Sequence, residues 1–287
     1  MLILTYYWIP SGGSGVQRWL KFVKYLRDCG WEPVIYSAEN GEYPMLDASL
    51  EKDVPENVAV IRRPIWEPYQ LYKRFVGQNK DERVVLGTLN ETAKTGVSSN
   101  IATWIRGNFF IPDARMFWIR PSAKFLNEYL KDSPVDAIVS TGPPHTMHRI
   151  AARVAQKHNL PWLADFRDPW TQIDFYHELY LTPIADAIHR HMEKSTLQRA
   201  DRVVVVGNTM ADEFAKIHLR HYDVITNGFD SENLPQHPQT PDSKRFTIAH
   251  IGLMNKDRNH PYFWETLAKL KQNHAGFGKH QIGRAHV

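Results

Sequence analysis

A glycine-rich turn lies between a strand-like and a helix-like segment at the start of this chain. Residues 1–7 are apolar enough for a buried strand, and apolar residues recur at helical spacing over 16–26. The turn contains Gly12, Gly13, Ser14 and Gly15. Such a turn presents backbone N–H groups at a helix N-terminus, which favours anions and above all phosphates. A tight βα turn that needs glycine only for its dihedral angles remains the alternative.

Strand-like and helical segments alternate after this turn. Apolar runs that predict strands occur at 33–37, 58–62, 134–140, 161–166, 201–206 and 224–226. The run at 203–206 is continuously apolar, which is typical of a central parallel strand. The pattern predicts an α/β fold in which a Rossmann-like parallel sheet carries helices on both faces.

The composition limits the kinds of partner and compartment. A net charge of +4 over 287 residues suits anionic substrates or an anionic membrane face, and no nucleic-acid module is recognisable, so no nucleic-acid partner is expected. The single cysteine, Cys29, excludes an intrachain disulfide and is expected to be buried. Because neither a signal peptide nor an apolar run of ~20 residues is visible, we expect a cytoplasmic protein, with peripheral contact to the inner membrane face as an option.

Two segments in the middle of the chain have unusual composition. Residues 78–100 are polar and aperiodic, and they are interpreted as a mobile insertion or lid. Between 104 and 120, aromatic residues alternate with arginines, a pattern that would suit an anionic membrane surface. The favoured interpretation is that Trp104, Phe109 and Phe117 are ordinary core residues beside a solvated basic edge.

Polar residues follow several predicted strands, where parallel sheets bind ligands. His145 follows a Gly-Pro-Pro turn and could contact a sugar hydroxyl or a phosphate, or else cap the next helix. Arg167 offers a planar donor fork for phosphate, and Asp168 could accept hydroxyl protons. An internal ion pair between these two residues is the alternative. The Asn227-Gly228 turn ends a further strand.

Metal and dinucleotide sites receive little support from the sequence. The acidic and histidine residues in this region match no compact metal site; they are Asp165, Asp168, Asp174, His177 and Glu178. The dinucleotide fingerprint requires a third glycine where this chain has Arg18. We therefore expect neither a metal nor a bound cofactor.

Five motifs together resemble a known family. They are SGGSGVQR at 11–18, STGPPH at 140–145, DFRDPW at 165–170, ADRV at 200–203 and TNGFD at 226–230. In order and spacing they are similar to the N-terminal half of GT4-type (family 4) glycosyltransferases over most of residues 1–240. The resemblance implies a GT-B architecture, in which two Rossmann-like domains face a cleft. It further implies an N-terminal domain for the acceptor, a C-terminal domain for the nucleotide sugar, and a retaining, metal-independent transfer.

The resemblance also implies roles for particular residues. His145, Arg167 and Asp168 would be catalytic or sugar-orienting. The residues that would bind the donor and its phosphates are Gly12, Gly13, Ser14, Gly15, Asn227, Gly228 and Arg258. The last of these lies in a segment, 252–258, that is similar to the first turn of the family's C-terminal domain. Leu253 departs from the arginine that many members carry there.

The expected domain organisation follows from the same resemblance. Residues 1–240 would form the acceptor-side domain, and 241–277 would form a linker and the beginning of the donor-binding domain. Residues 278–287 lack periodicity and are interpreted as a non-native tail. The chain is therefore expected to be a truncated form that does not catalyse transfer by itself.

The leading functional hypothesis is a retaining glycosyltransferase of cell-envelope or exopolysaccharide synthesis, with a glycan or lipid-linked acceptor. One alternative is a sugar-nucleotide 2-epimerase of the same architecture, which would incorporate solvent deuterium at the sugar C2 without an acceptor. The other is a non-catalytic binding or scaffold domain, which would not depend on Arg258.

Overall fold

The computed structural model of the chain describes residues 1–67, 97–230, 248–250, 254, 259–274 and 276–277. The described residues fall into two compact units, one up to residue 229 and the other from residue 230 onward. The first unit contains the sheet and the predicted strand-end residues. Arg258, the tail 278–287 and residues 78–96 lie outside the described part of the chain.

The first unit is built on a parallel sheet. Its seven strands in the described part of the chain are β1 (Leu2–Leu4), β2 (Val34–Ala38), β3 (Ala59–Arg63), β4 (Ile138–Gly142), β5 (Trp162–Phe166), β6 (Arg202–Val205) and β7 (Asp223–Val224). They pair in the order β3-β2-β1-β4-β5-β6-β7, and every pairing is parallel. The Rossmann-like α/β sheet predicted from the sequence is confirmed.

Helices connect and cover these strands. They are α1 (Ser14–Leu26), α2 (Val97–Phe109), α3 (Ile119–Asp132), α4 (Thr146–His158), α5 (Pro183–Arg199) and α6 (Asn208–Ile217), with α7 (Pro261–Asn273) in the second unit. Short 3-10 helices occupy Arg27–Cys29, Ala48–Asp53, Met116–Trp118 and Tyr176–Leu179. Among the described residues, no helix combines the length and apolar character needed to cross a bilayer.

The two faces of the sheet bury two separate apolar clusters, because successive side chains of a strand point to opposite faces. Leu2 and Leu4 of β1 belong to the larger cluster, which includes Leu126 of α3 and Ile150 of α4. Ile3, which lies between them, belongs to the second cluster together with the apolar residues of α1. Alternation along β1 thus attaches helices to both faces of the sheet.

The strand order reverses at β1. The chain runs from β1 outward to β2 and β3 on one side, and then returns to β4 on the other side of β1. The loops that leave the carboxyl ends of β1 and β4 therefore diverge, and open α/β sheets bind ligands in the resulting crevice. The glycine loop leaves β1, and the turn that carries His145 leaves β4.

Several local expectations were wrong. Residues 97–100 begin α2 and do not belong to an irregular insertion. Cys29 is exposed, because α1 has already given way to the 3-10 turn Arg27–Cys29, which contains no buried residue. Gly30 ends this turn in the left-handed conformation (φ 77°), which glycine adopts without a steric penalty.

The aromatic residues that were expected in the core are at the surface. Trp104, Phe109 and Phe117 are 38%, 63% and 45% exposed. Helix α2 packs through a small residue instead, since a Cβ at Gly107 would lie only 2.8 Å from Leu181 Cδ2. The aromatic side of the helix is thereby left facing solvent.

Candidate functional site

Each glycine of the loop after β1 has a structural requirement. Gly13 adopts φ 82°, a region that side chains with a Cβ rarely enter. A Cβ on Gly12 would lie 2.9 Å from Asp47 Cβ, and one on Gly15 would lie 3.1 Å from Tyr7 Cδ2. The geometry of the turn is therefore enough to explain why glycines occur here. Support for ligand binding depends instead on whether the backbone N–H groups of the loop are free to bind an anion.

The N-terminus of α1 is open to solvent. Residues in the first turn of a helix have no intrahelical acceptor for their N–H groups. No side chain in the described part of the chain caps α1, and Ser14 is exposed while Gly13 and Gly15 are half-buried. The amide of Gly12, by contrast, donates to the Met45 carbonyl (3.0 Å). The amides after Gly12 can therefore receive an anion.

The neighbouring helix N-terminus across the crevice already has an acidic partner. Asp113 accepts hydrogen bonds from the Thr146 amide (2.9 Å) and the Thr146 hydroxyl (2.8 Å) at the start of α4. His145 precedes this helix, but its side chain makes no capping hydrogen bond, so the capping interpretation of His145 was wrong. Of the two helix ends at the crevice, α1 is the one suited to a phosphate.

Arg167 connects the two loops that border the crevice. Its guanidinium donates to the Gly15 carbonyl (2.5 Å) and to the Pro143 carbonyl, and it lies 5.5 Å from the centre of the Tyr7 ring. Burial lowers the pKa of Arg167, although Asp165 opposes the shift. The described residues contain no ion pair between Arg167 and Asp168, so that alternative is not found. Arg167 thus holds the Gly15 and Pro143 loops together through their carbonyl groups. Direct contact between Arg167 and a ligand stays a prediction.

His145 lies against an aromatic wall. Its ring stacks on Trp170, with centroids 4.4 Å apart and planes 3° from parallel. Burial lowers the pKa of His145 well below its ordinary value, and the nearby His148, His189 and Arg167 lower it further. Its Nδ1 atom is buried and has no hydrogen-bond partner among the described residues. The ring is therefore neutral at physiological pH and is suited to a hydroxyl rather than to a charged phosphate.

His148 lies next to His145, with ring centroids 5.8 Å apart, and is itself held by a hydrogen bond. Trp162 Nε1 donates to Ser140 Oγ (2.8 Å), which in turn pairs with His148 Nδ1 (2.8 Å). A Cβ on Gly142 would approach His148 Nε2 to 2.6 Å, so the ring packs directly on the glycine that begins the Gly-Pro-Pro turn. Burial lowers the pKa of His148 to about 3.

Burial of His148 predicts a loss of stability in mild acid. The unfolded chain binds a proton below about pH 6.5 whereas the native ring stays neutral to about pH 3. The free energy of unfolding should therefore fall as pH falls across this window, by ~2 kcal/mol per such histidine between pH 6.5 and 5. Urea unfolding of His148→Asn should show a correspondingly flatter pH dependence. The exposed His191→Asn serves as the control, and equal slopes in both variants would contradict the prediction.

A buried ion pair beneath the glycine loop was missed in the sequence analysis. Arg18 NH2 lies 2.9 Å from Asp165 Oδ1, with side chains 3% and 0% exposed. Asp165 also accepts from Trp19 Nε1 (2.7 Å) and Thr141 Oγ1 (2.8 Å). A signal was available, because Arg18 interrupts the otherwise apolar buried side of α1. A charge at such a position indicates a buried partner.

Arg18 also holds the turn after β7. Its NH1 donates to Asn227 Oδ1 (3.1 Å) and to the Thr226 carbonyl (3.2 Å), and its NH2 donates to the Ile225 carbonyl (2.9 Å). The predicted Asn227-Gly228 turn is therefore tied to the helix that begins at the glycine loop. Gly228 itself is exposed, and a Cβ there would meet no atom within 4 Å.

The structure thus brings most of the predicted residues to one edge of the sheet. The glycine loop, the turn before His145 and the Asn227 turn are joined by Arg167 and Arg18. Asp168 follows Arg167 in the chain and is exposed to solvent. In the described residues, no group of three or more histidine, cysteine or acidic side chains is arranged to hold a metal.

Comparison with known proteins identifies the family of this chain. MurG of Acinetobacter baumannii is similar at 14% identity and a TM-score of 0.41, covering 80% of this chain and 46% of its own. The apo UGT2 of Phytolacca americana is similar at 13% identity and a TM-score of 0.42, and the match covers 79% of this chain and 51% of UGT2. This chain therefore spans about half the length of either structure. No curated protein sequence matches. A family model described as a glycosyl transferase 4-like domain matches residues 12–228, which is most of the chain, and the chain accordingly belongs to that family.

Proposed function

We propose that this chain contributes one wall of a glycosyltransferase cleft, in which the N-terminus of α1 contacts the diphosphate of a nucleotide-sugar donor. The observation that carries the proposal is the uncapped start of α1 at the point where the strand order reverses. Arg167 fixes the Gly15 end of this loop against the opposite loop. Family membership supports the reaction class.

Negative charge develops on the leaving diphosphate during sugar transfer. Preorganised amides at a helix N-terminus stabilise such charge without reorganisation at the moment of reaction. We assign this role to the amides of Gly13, Ser14 and Gly15. Arg258 is proposed as a second source of positive charge, on the family resemblance alone.

The sugars would lie beside His145 and Asp168. A neutral imidazole can exchange hydrogen bonds with a hydroxyl in either direction, which matches the lowered pKa of His145. Asp168 can accept from a second hydroxyl. We further propose retention of anomeric configuration, no metal or additional cofactor, and a glycan or lipid-linked acceptor of cell-envelope synthesis.

A panel of nucleotide sugars tests the reaction class. The protein would be incubated with UDP-, GDP- and ADP-linked sugars and mixed glycan acceptors, and the release of nucleoside diphosphate would be measured. Saturable binding of at least one donor, measured by isothermal titration, is the expected result for this chain. Acceptor-dependent release is expected only when a complete donor-binding domain is joined to it. Incorporation of solvent deuterium at C2 without an acceptor would instead favour an epimerase. Failure of every nucleoside diphosphate to bind would contradict the proposal.

We also propose that the exposed aromatic residues touch a membrane that carries the acceptor. Trp104 and Phe109 lie edge to face with ring centroids 5.7 Å apart. Phe117 and Trp66 form a similar edge-to-face pair with ring centroids 4.9 Å apart. Arg120 is exposed a few residues beyond Phe117. Aromatic and basic side chains together favour the interface of anionic bilayers.

Vesicle binding tests the membrane proposal. Replacing Trp104 and Phe109 together by alanine should lower the fraction bound to phosphatidylglycerol vesicles several-fold, because apolar contact area is lost while the charge is unchanged. Tyr25→Ala, which removes a comparably exposed ring on α1, is the control. Co-sedimentation that is equal in both variants would contradict a role for the aromatic residues.

A further inference from the structure

A shallow surface cavity of about 470 Å³, widely open to solvent, lies between the 3-10 helix Tyr176–Leu179 and the first turns of α5. Aromatic and charged side chains contribute to its lining, among them Tyr176, His177, Tyr180, Asp186 and Arg190. The segment that forms it follows β5 and the Arg167–Asp168 pair in the chain.

The polar part of the lining contains an ion pair between Asp186 and Arg190, whose side chains are 34% and 60% exposed. Asp186 accepts from the Tyr176 hydroxyl (2.9 Å) and from Arg190 Nε (2.8 Å). The hydrogen bond from Arg190 is the main cause that lowers the pKa of Asp186, so this carboxylate is charged at physiological pH. The two terminal nitrogens of Arg190 have no hydrogen-bond partner among the described residues. The pair therefore keeps donors for a ligand while its net charge is balanced.

The aromatic part of the lining is held in a fixed position. Tyr180 is 56% exposed and adopts the left-handed conformation (φ 50°), which is uncommon for a residue with a bulky side chain. Asn108 of α2 fixes the segment around it by donating to the Tyr180 carbonyl (3.2 Å) and accepting from the Thr182 amide (2.7 Å). An exposed ring on a braced backbone is suited to stacking.

The cavity is linked to His145 by a short series of packed rings. Trp170, which stacks on His145, donates through Nε1 to His189 Nδ1 (3.1 Å). The Tyr176 ring meets His189 edge to face with centroids 5.9 Å apart. Two ring systems thus separate Tyr176 from the side chain expected to face the sugars.

We propose that this cavity is a saccharide subsite that takes a neutral pyranose unit of the glycan acceptor. The C–H face of a pyranose matches an aromatic ring, and vicinal hydroxyls match a carboxylate beside a planar guanidinium. The balanced Asp186–Arg190 pair favours a neutral sugar over an acidic one. The assignment of this sugar to the acceptor rests on the proposed glycosyltransferase function, whereas the proposal that the cavity binds a saccharide does not.

Saturation-transfer NMR with simple sugars tests this inference. The probes are the methyl pyranosides of glucose, galactose, mannose and N-acetylglucosamine, together with cellobiose and maltose. At least one should bind, and Tyr180→Asn and Arg190→Leu should each weaken it about tenfold. Asparagine tolerates the left-handed backbone, so Tyr180→Asn removes the ring without disturbing the turn. Tyr25→Asn, on the distant α1, should leave binding unchanged.

The outcomes separate this inference from the proposed function. Absence of binding by every probe, or equal binding in wild type and Tyr180→Asn, overturns the subsite even if a nucleotide sugar is turned over. Binding that depends on Tyr180 and Arg190 upholds the saccharide site even if no nucleoside diphosphate binds, in which case the proposed glycosyltransferase function fails alone.

Discussion

Replacing Arg18 by methionine should lower the free energy of unfolding by about 3–5 kcal/mol, the usual cost of removing one member of a buried ion pair. The Asp165 carboxylate would remain fully buried with a negative charge and only the donors of Trp19 and Thr141. The three main-chain and side-chain contacts of Arg18 to residues 225–227 would be lost as well. Urea unfolding followed by circular dichroism measures the effect.

Two further variants distinguish the buried charge from a simple loss of packing. Arg18→Met combined with Asp165→Leu should recover much of the loss, because no uncompensated charge remains. Arg27→Met removes an exposed partner of Glu32 and should change the stability little. A small effect of Arg18→Met, comparable to that of Arg27→Met, would contradict the assignment of Arg18 as the central support of this edge.

Replacing Gly15 by valine should weaken nucleoside diphosphate binding roughly 10- to 100-fold, because losing one hydrogen bond to a charged phosphate costs about 1.5–3 kcal/mol. The new Cβ would lie 3.1 Å from Tyr7 Cδ2 and 3.2 Å from Arg167 NH1. Arg167 would then have to release the Gly15 or the Pro143 carbonyl, and the spacing of the two loops would change. Isothermal titration with UDP, GDP and ADP measures the binding.

The matched control is Gly207→Ala at the start of α6. A Cβ at Gly207 meets no atom within 4 Å and requires no unusual φ, so binding should be unaffected. Thermal unfolding of both variants shows whether the sheet is intact. Unchanged diphosphate affinity in a folded Gly15→Val protein would remove the glycine loop from the site.

The sheet and its ligand edge were predictable because they depend on local signals. Strand and helix periodicities, together with the glycine turn, define a Rossmann-like order, and that order places the loops after β1 and β4 at one crevice. Identification of His145 and Asn227 followed from their positions at strand ends. These inferences need no knowledge of which side chains touch each other.

The partners of the buried charges were not predictable in this way. Arg167 was expected to face a ligand, but the acceptors of its NH1 and NH2 groups belong to Gly15 and Pro143, which are distant in sequence. Arg18 was considered only as a departure from a dinucleotide motif. Trp104 and Phe109 were expected in the core, and which side of α2 is buried was decided by the tertiary contact of Gly107 with Leu181. Such outcomes depend on packing between segments.

The amides at the start of α1 are proposed to hold the donor diphosphate. Proline at Ser14 removes one N–H group from the first helical position, where proline is well tolerated. Alanine at the same position keeps that N–H group and removes only the exposed hydroxyl. The most direct measurement is the affinity of wild type, Ser14→Ala and Ser14→Pro for UDP, GDP and ADP. Equal affinity in wild type and Ser14→Ala, with about tenfold weaker binding in Ser14→Pro, is the predicted result, and equal affinity in all three proteins would contradict the claim.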